Sequence, residues 1–332
     1  MANSELKHHF LQNRVRLPEI TDADCVRGET VRLISTVPKS GTWSLRYFWA
    51  VLDGLLSGKD RYDPHRVLYQ PDELACDVFG VQHSFCPGWQ AHLPKDFVKF
   101  INDRVYPGTM GIDDFLHGFD TLGEKADPVA GKNAKIALVY RHPLDQVYSY
   151  FRNRWSVAFK EKVGMKVNRF PRPGYLQDKE GIFNIYDSPK ETLRAGAANS
   201  YFAQLASFVK MQQIAPENVA LVRYEDLTGD RQTSLESLAK HFEFYKDTAH
   251  FKSCFEAAVA ATSRESMRTF EQGRGFNLAN YRAPDRPTLD RHIKSGGDDH
   301  WSEVFDQEDV RYVDEVRRAF DIPESVLPYL TD

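Results

Sequence analysis

The sequence lacks the features that would direct the chain to a membrane or to nucleic acid. None of its 332 residues belongs to an apolar run of about 18 residues, which a membrane-spanning helix requires. Its 43 basic and 47 acidic side chains leave a formal charge of −4, which argues against a general nucleic-acid binder. These absences predict a cytoplasmic protein that binds neither membranes nor nucleic acid.

Cysteine is also scarce, with four residues and no Cys-x-x-Cys pair. This usage predicts reduced thiols rather than a disulfide framework. Residues 1–29 are polar and charged and contain no apolar segment typical of a secretion signal. We therefore expect residues 1–29 to form an N-terminal lead ahead of one domain over residues 30–332.

The Walker pattern is absent, yet one stretch has the order of elements that binds phosphate. An apolar run, Val31 to Thr36, predicts a strand, and helical spacing begins at Leu45. Between them lies the turn Pro38-Lys39-Ser40-Gly41-Thr42. The free amides and dipole of a helix N-terminus favour an anion there. We expect the lysine and hydroxyls of this turn to contact the anion, and its glycine to let the backbone approach.

Three more apolar runs predict strands, at residues 78–81, 134–140 and 219–223. Helices predicted between and after them cover residues 195–211, 232–244, 251–261 and 301–320. This alternation predicts an α/β fold: a single domain with a central parallel sheet flanked by helices, like that of P-loop NTPases. Ligands bind such sheets at the carboxyl ends of the strands.

Polar side chains follow the predicted strands. His83 lies just after the second strand and is a candidate general base, with His92 as its rival. Arg141 ends the third strand, and Ser149 lies on the helix after it, so both could reach one phosphate. The alternative for Arg141 is an ion pair with Asp145 at the start of that helix.

Two segments are rich in basic residues and glycine and predict loops. Residues 155–191 mix lysine and arginine with aromatics, as in a binding loop. Residues 270–300 combine glycines with cations, a composition that can bind an anion and could close over a ligand.

Four fragments occur in order along the chain. They are Pro38-Lys39-Ser40-Gly41-Thr42, the Arg-x-Pro-x-Asp-x-x-x-Ser stretch from Arg141 to Ser149, Tyr224-Glu225-Asp226-Leu227, and Lys294-Ser295-Gly296 ahead of Trp301. Together they resemble the cytosolic-type sulfotransferases, which use 3′-phosphoadenosine 5′-phosphosulfate (PAPS) and have a P-loop-like fold. The resemblance extends from about residue 30 to residue 306.

This resemblance implies a role for each matching residue and no metal. His83 would be the catalytic base, and Lys39 would stabilise the leaving phosphate. The 5′ phosphosulfate would be held by Lys39, Ser40, Gly41 and Thr42, the 3′-phosphate by Arg141, Ser149, Lys294, Ser295 and Gly296, and the adenine by Trp43 and Tyr224. The reaction would pass a sulfuryl group to a hydroxyl or amine and release adenosine 3′,5′-bisphosphate. The implied partner is a small-molecule acceptor, with residues 155–191 lining its pocket and residues 270–300 closing over the donor.

The chain departs from the family's pattern at three places. Trp43 is displaced by one residue, which is about 100° around a helix. Val81 replaces a lysine two residues before the base, and Lys294-Ser295 replaces an Arg-Lys pair. A weaker hold on the donor is the expected consequence.

The residues alone leave two other functions open. They also allow a homodimer. One function is a P-loop-type phosphotransferase or kinase, which would need a Walker lysine and an acidic metal ligand. The other is a non-catalytic nucleotide-binding module, which would need the cations but not His83. The residues do not identify the acceptor.

Overall fold

Four parallel strands form the central sheet. The structure is a computed structural model that describes residues 31–37, 40–58, 80–82, 134–152, 167–168, 183–184, 186–274 and 301–328. The strands are β1 (Val31–Thr36), β2 (Gly80–Gln82), β3 (Ala134–Tyr140) and, later in the chain, β6 (Val219–Arg223). Their order across the sheet is β2-β1-β3-β6, with Thr36 opposite Val139 and Tyr140 opposite Arg223. The carboxyl ends of β1, β3 and β6 therefore meet along one edge.

Helices pack on both faces of this sheet. The α-helices are α1 (Thr42–Leu56), α2 (Pro143–Arg152), α3 (Pro189–Thr192), α4 (Ala198–Ile214), α5 (Tyr224–Gly229), α6 (Arg231–His241), α7 (Ala249–Ala261), α8 (Arg264–Arg274) and α9 (Gln307–Ala319). A π-helical turn (Leu193–Ala197) joins α3 to α4, and 3₁₀ turns lie at Trp301–Glu303 and Glu324–Val326.

Strand β3 shows how the two cores are divided. Its side chains at positions 136, 138 and 140 pack in one cluster with α2, α4 and α9. Those of Ala137 and Val139 pack in the other, with α1, α6 and α7. Because successive side chains of a strand point to opposite faces, a strand buried on both faces must be apolar throughout. This explains the continuous apolar run from Ile136 to Tyr140.

The predicted bounds of β1, β3 and β6 are confirmed, whereas several helices differ. The closing helix predicted over 301–320 begins only at Gln307. Asp306 accepts hydrogen bonds from the backbone N–H groups of Glu308 and Asp309, and the Asp309 carboxylate accepts one from Asp306. This reciprocal capping box stops the helix from extending back to Trp301.

Parts of both predicted loops have regular structure. Within residues 155–191, β4 (Val167–Asn168) and β5 (Phe183–Asn184) form a short parallel pair. The first residues of the 270–300 segment belong to α8, whose start is marked by a hydrogen bond from Ser266 N–H to Ser263 Oγ. Gly196, at a φ of +114°, lies in the π-helical turn, and α4 begins after that turn.

None of the helices in the described ranges is long and apolar enough to cross a membrane.

Candidate active site

The carboxyl end of β1 is held by helix α4. Gln204 Nε2 donates hydrogen bonds to Ser35 Oγ at 3.1 Å and to Thr36 O at 3.2 Å. Val37 N–H donates to Val139 O of β3 at 2.9 Å, and all these groups are buried. The residue from which the predicted phosphate turn departs is therefore fixed from two sides.

Helix α1 begins at Gly41 without a side-chain cap. Gly41 is the N-cap residue, with a φ of +85° and a ψ of 17°, and has no side chain that could accept from the first-turn amides. These amides have no acceptor within an α-helix, so the start of α1 favours an anion.

Ser40 contributes a buried hydroxyl to the same place. Its side chain is fully buried, and its Oγ has no hydrogen-bond partner among the residues that the structure describes. A buried hydroxyl without a partner is unfavourable, since it has lost its bonds to water. A ligand oxygen at the start of α1 would supply the missing partner.

Tyr224 connects this turn to Arg141. A Cβ atom placed on Gly41 would lie only 2.8 Å from Cε2 of the Tyr224 ring. The Arg141 guanidinium carbon lies 5.1 Å from the centroid of the same ring, within the range of a cation–π contact. The Tyr224 ring, directly after β6, therefore lies beside both the β1 turn and the Arg141 side chain.

Arg141 is a buried cation with a loosely held acidic neighbour. It is 5% exposed, and its Nη2 lies 3.8 Å from Asp145 Oδ2. The predicted ion pair with Asp145 is therefore present, at the outer limit of such a pair. Ser149 is also buried, on α2, but no hydrogen bond joins it to Arg141 in the described part of the chain.

His142 is the second polar residue at the end of β3. The sequence did not predict that its ring would be buried. Its ring stacks on Trp301, with centroids 4.8 Å apart and planes 11° from parallel. Burial, with the Arg141 charge as a second cause, lowers the pKa of His142 to about 3. The ring is therefore neutral at physiological pH and does not add charge beside Arg141.

Several predicted site residues lie outside the described residues. These are Lys39, His83, His92, Lys294, Ser295 and Gly296. Thr42 and Trp43 are described as the first residues of α1 but not at the level of their side chains. Of the predicted site residues with described side chains, Ser40, Gly41, Arg141 and Tyr224 follow strand ends at one edge of the sheet, and Ser149 lies on α2.

Sequence reasoning missed two side chains that hold the end of β3. The Tyr201 hydroxyl of α4 donates to Arg141 O, and Glu225 Oε1 of α5 accepts from the His142 N–H. Glu225 had a visible signal, since it follows Tyr224 directly. Within the described residues, no group of three or more His, Cys, Asp or Glu side chains could hold a metal ion.

The chain matches one known protein family and several solved structures. The sulfotransferase domain family matches residues 123–321, more than half of the chain. No curated protein sequence matches at a significant level. A crystal structure of mouse sulfotransferase SULT7A1 complexed with PAP is 16% identical, with 91% of this chain and 88% of that chain covered and a TM-score of 0.45.

Two structures of retinol dehydratase are also similar. One, in complex with androsterone and inactive cofactor PAP, is 14% identical, with 91% and 85% of the two chains covered and a TM-score of 0.41. The other, in a complex with retinol and PAP, is 14% identical, with 92% and 86% covered and a TM-score of 0.42. The family match over more than half of the sequence establishes that this chain belongs to the sulfotransferases, enzymes that transfer sulfuryl groups.

Proposed function

We propose that the enzyme transfers the sulfuryl group of PAPS to a hydroxyl or amine of a small-molecule acceptor. The observation that carries this proposal is the position of Tyr224, whose ring edge lies against Gly41 and whose ring lies within cation–π range of Arg141. The uncapped start of α1 and a buried guanidinium thus lie beside a single aromatic ring. Such an arrangement suits a nucleotide whose ribose carries two phosphates.

The described residues fit the two ends of this donor. The Ser40 hydroxyl and the uncapped start of α1 would hold the 5′ phosphosulfate, which is the end that donates the sulfuryl group. The Arg141 guanidinium, joined by Ser149, would hold the 3′-phosphate, since its planar fork matches phosphate oxygens. The Tyr224 ring would contact the adenine. We propose that Lys294, Ser295 and Gly296 assist at the 3′-phosphate and that Thr42 and Trp43 assist at α1.

Catalysis would then depend on positioning and charge. We propose that His83 takes the proton from the acceptor's hydroxyl or amine as that group attacks sulfur. Lys39 would stabilise the negative charge that grows on the leaving phosphate oxygen. Support for both comes from chain position: Lys39 directly precedes Ser40, and His83 directly follows β2, whose strand neighbours β1.

The base assignment is tested by replacing His83 with alanine and with asparagine. Turnover should fall about 100-fold or more in both variants, since a positioned base contributes that much, while adenosine 3′,5′-bisphosphate binding stays unchanged. Full turnover in both variants would show that the base is another residue, and the same pair of changes at His92 would then identify it.

The acceptor class is tested directly with PAPS and a library of small phenols, alcohols and amines. We propose that residues 155–191 line the acceptor pocket, since their cations and aromatics suit a small aromatic or anionic acceptor. Mass spectrometry should show the gain of one sulfuryl group on at least one acceptor. Activity that survives EDTA would further separate sulfuryl transfer from a metal-dependent phosphotransferase.

A further inference from the structure

One peptide group at the end of β3 is held by two side chains from other elements. The Tyr201 hydroxyl donates to the carbonyl oxygen of Arg141 at 2.6 Å. The backbone N–H of His142 donates to Glu225 Oε1 at 2.9 Å. This carbonyl and this N–H belong to the same peptide group, which is a rigid plane. Two side chains therefore grip opposite edges of one plane.

This peptide group lies where regular structure does not hold the chain. The last ladder pair of β3 joins Tyr140 to Arg223. The first hydrogen bond that closes a turn of α2 runs from Gln146 N–H to His142 O. The intervening peptide is thus between strand and helix, and Tyr201 and Glu225 hold its direction.

The surroundings make both hydrogen bonds strong constraints. Tyr201 is 2% exposed and Arg141 is 5% exposed, so water cannot readily replace the hydroxyl bond. The other oxygen of Glu225, Oε2, is buried and has no hydrogen-bond partner in the described part of the chain. A carboxylate that accepts from a backbone N–H forms a bond stronger than one between neutral groups.

The residue before Glu225, Tyr224, contacts the Arg141 side chain. Tyr224 places its ring 5.1 Å from the guanidinium carbon, and Glu225, the next residue, holds the backbone of Arg141 through His142. Tyr224 and Glu225 therefore hold both the side chain and the backbone of Arg141 from one place, directly after β6.

We propose that Tyr201 and Glu225 are positioning residues that orient Arg141 toward the 3′-phosphate of the donor. This inference rests on the proposed function, in which Arg141 binds that phosphate. A guanidinium that is already aimed loses less conformational freedom on binding than a mobile one, so its bidentate contact is stronger. Neither positioning residue needs to touch the ligand.

The test compares two ligands that differ only in the 3′-phosphate: adenosine 3′,5′-bisphosphate and adenosine 5′-phosphate. Tyr201→Phe, which removes one oxygen atom, should weaken calorimetric binding of the bisphosphate by about 3- to 10-fold. Binding of the monophosphate should change less than about twofold, because Arg141 has no 3′-phosphate to contact there. A purely structural role would weaken both ligands alike.

Two further variants sharpen this comparison. Glu225→Gln keeps an acceptor oxygen and should retain more bisphosphate affinity than Glu225→Ala. Tyr140→Phe is the matched control: it also removes a phenol oxygen, from the residue that precedes Arg141, but that hydroxyl donates to Val326 O at 2.9 Å. Tyr140→Phe should leave the preference for the bisphosphate unchanged.

A double-mutant cycle decides whether the effect passes through Arg141. In an Arg141→Ala background, Tyr201→Phe should cause no further loss of bisphosphate affinity. The inference is overturned if Tyr201→Phe keeps the wild-type preference, or if its loss persists in that background. If Arg141→Ala itself binds both ligands as the wild type does, the proposed function has failed instead. Because Tyr201→Phe only removes a hydroxyl, it keeps the test decisive even if Glu225→Ala does not fold.

Discussion

The Tyr224 ring lies so close to Gly41 that the backbone at position 41 has no room for a side chain. A Cβ atom there would come within 2.8 Å of Cε2 and 3.0 Å of Cδ2 of the ring. Because Gly41 also has a φ of +85°, an L-residue would be strained in the turn even without the ring. The start of α1 and Tyr224, which directly follows β6, are therefore packed against each other. We propose that both contact the donor.

Gly41→Ala should therefore lower both stability and donor affinity. We expect a loss of about 2–4 kcal/mol in the free energy of unfolding, from backbone strain and overpacking together. Adenosine 3′,5′-bisphosphate binding should weaken at least about tenfold, because the ring or the turn must move. Thermal unfolding and calorimetry measure the two effects.

Gly58 supplies the matched control for that change. Its φ is +61°, but a Cβ there would meet no atom within 4 Å. Gly58→Ala should cost only the backbone term, about 1 kcal/mol, and leave ligand binding unchanged. Equal losses for the two variants would contradict the role given to the Tyr224 contact.

Ser40→Ala should separate stability from binding. Removing a buried hydroxyl that has no described partner should leave the unliganded protein as stable as before, or up to about 1 kcal/mol more stable. The same change should weaken adenosine 3′,5′-bisphosphate binding by about tenfold, because the ligand loses a buried donor. Thermal unfolding with and without the ligand reports both quantities.

The control is Ser207→Ala. Ser207 is equally buried, but its hydroxyl donates to Gln204 O at 2.7 Å, so its loss should destabilise the protein and spare the ligand. A Ser40→Ala variant that is destabilised as much as Ser207→Ala, with unchanged binding, would mean that the Ser40 hydroxyl is structural.

Acid should destabilise the enzyme partly through His142. The pKa of His142 is about 3 in the folded chain, below the ordinary 6.5. Between pH 3 and pH 6.5, this residue therefore binds a proton in the unfolded chain but not in the folded one. The stability from a neutral His142 is therefore full above pH 6.5 and is lost as the pH falls, by about 1.4 kcal/mol per pH unit. Denaturant unfolding measured between pH 7 and pH 4.5 gives this slope.

His142→Phe keeps a ring for the stack on Trp301 and removes the titration. The free energy of unfolding should then depend less on pH over this range. The slope should fall by up to about 1.4 kcal/mol per pH unit, which corresponds to one proton fewer bound on unfolding. His241→Phe is an instructive comparison, because burial lowers the pKa of His241 too, far from Arg141 and beside Ile136 O. An unchanged slope in the His142 variant would show that other groups govern the acid response.

Arg231 is a half-buried cation that has no acidic partner within the described ranges. Its guanidinium lies 6.0 Å from the Phe48 ring centroid, its Nη2 donates to Thr262 Oγ1 at 3.2 Å, and burial lowers its pKa to about 10. Its Nε has no hydrogen-bond partner within the described ranges. Arg231→Met should keep the packing on Phe48 and change stability by less than about 1 kcal/mol, or increase it.

Arg317→Met is the control, since that equally long side chain bonds to Asp314 Oδ1 and to Ile322 O at 2.8 and 2.6 Å. Its loss removes the bond to Asp314 Oδ1, while Arg318 keeps its bonds to Oδ2, and leaves the buried Ile322 carbonyl without this donor. We therefore expect about 3 kcal/mol of destabilisation. Similar Tm losses for the two variants would contradict the account of Arg231.

The sequence predicted the strands better than the contacts between their ends. The bounds of β1, β3 and β6 could be read from apolar runs, because strands buried on a sheet need side chains of that kind on both faces. Because the sheet was predicted to be parallel, the residues that follow its strands, Arg141 and Tyr224 among them, were expected at one edge of it. Chain order also predicted that a helix would start directly after the turn at Gly41.

What the sequence did not predict depends on long-range packing. The contact of Tyr224 with Gly41 and the hydrogen bond from Tyr201 to Arg141 join residues far apart in the chain. No local pattern encodes such a contact. The break before α9 was missed for a different reason, since the capping box at Asp306 was visible in the sequence but was outweighed by apolar spacing that continued through Phe305.

The most direct test of the central claim is the preference for a 3′-phosphate in wild-type and Arg141→Ala enzymes. Calorimetry with adenosine 3′,5′-bisphosphate and adenosine 5′-phosphate gives this preference as a ratio of Kd values. If the donor lies between the start of α1 and Arg141, the wild type should favour the bisphosphate by about 100-fold or more, and Arg141→Ala should lose most of that ratio. An Arg141→Ala enzyme that keeps the full preference would contradict the account.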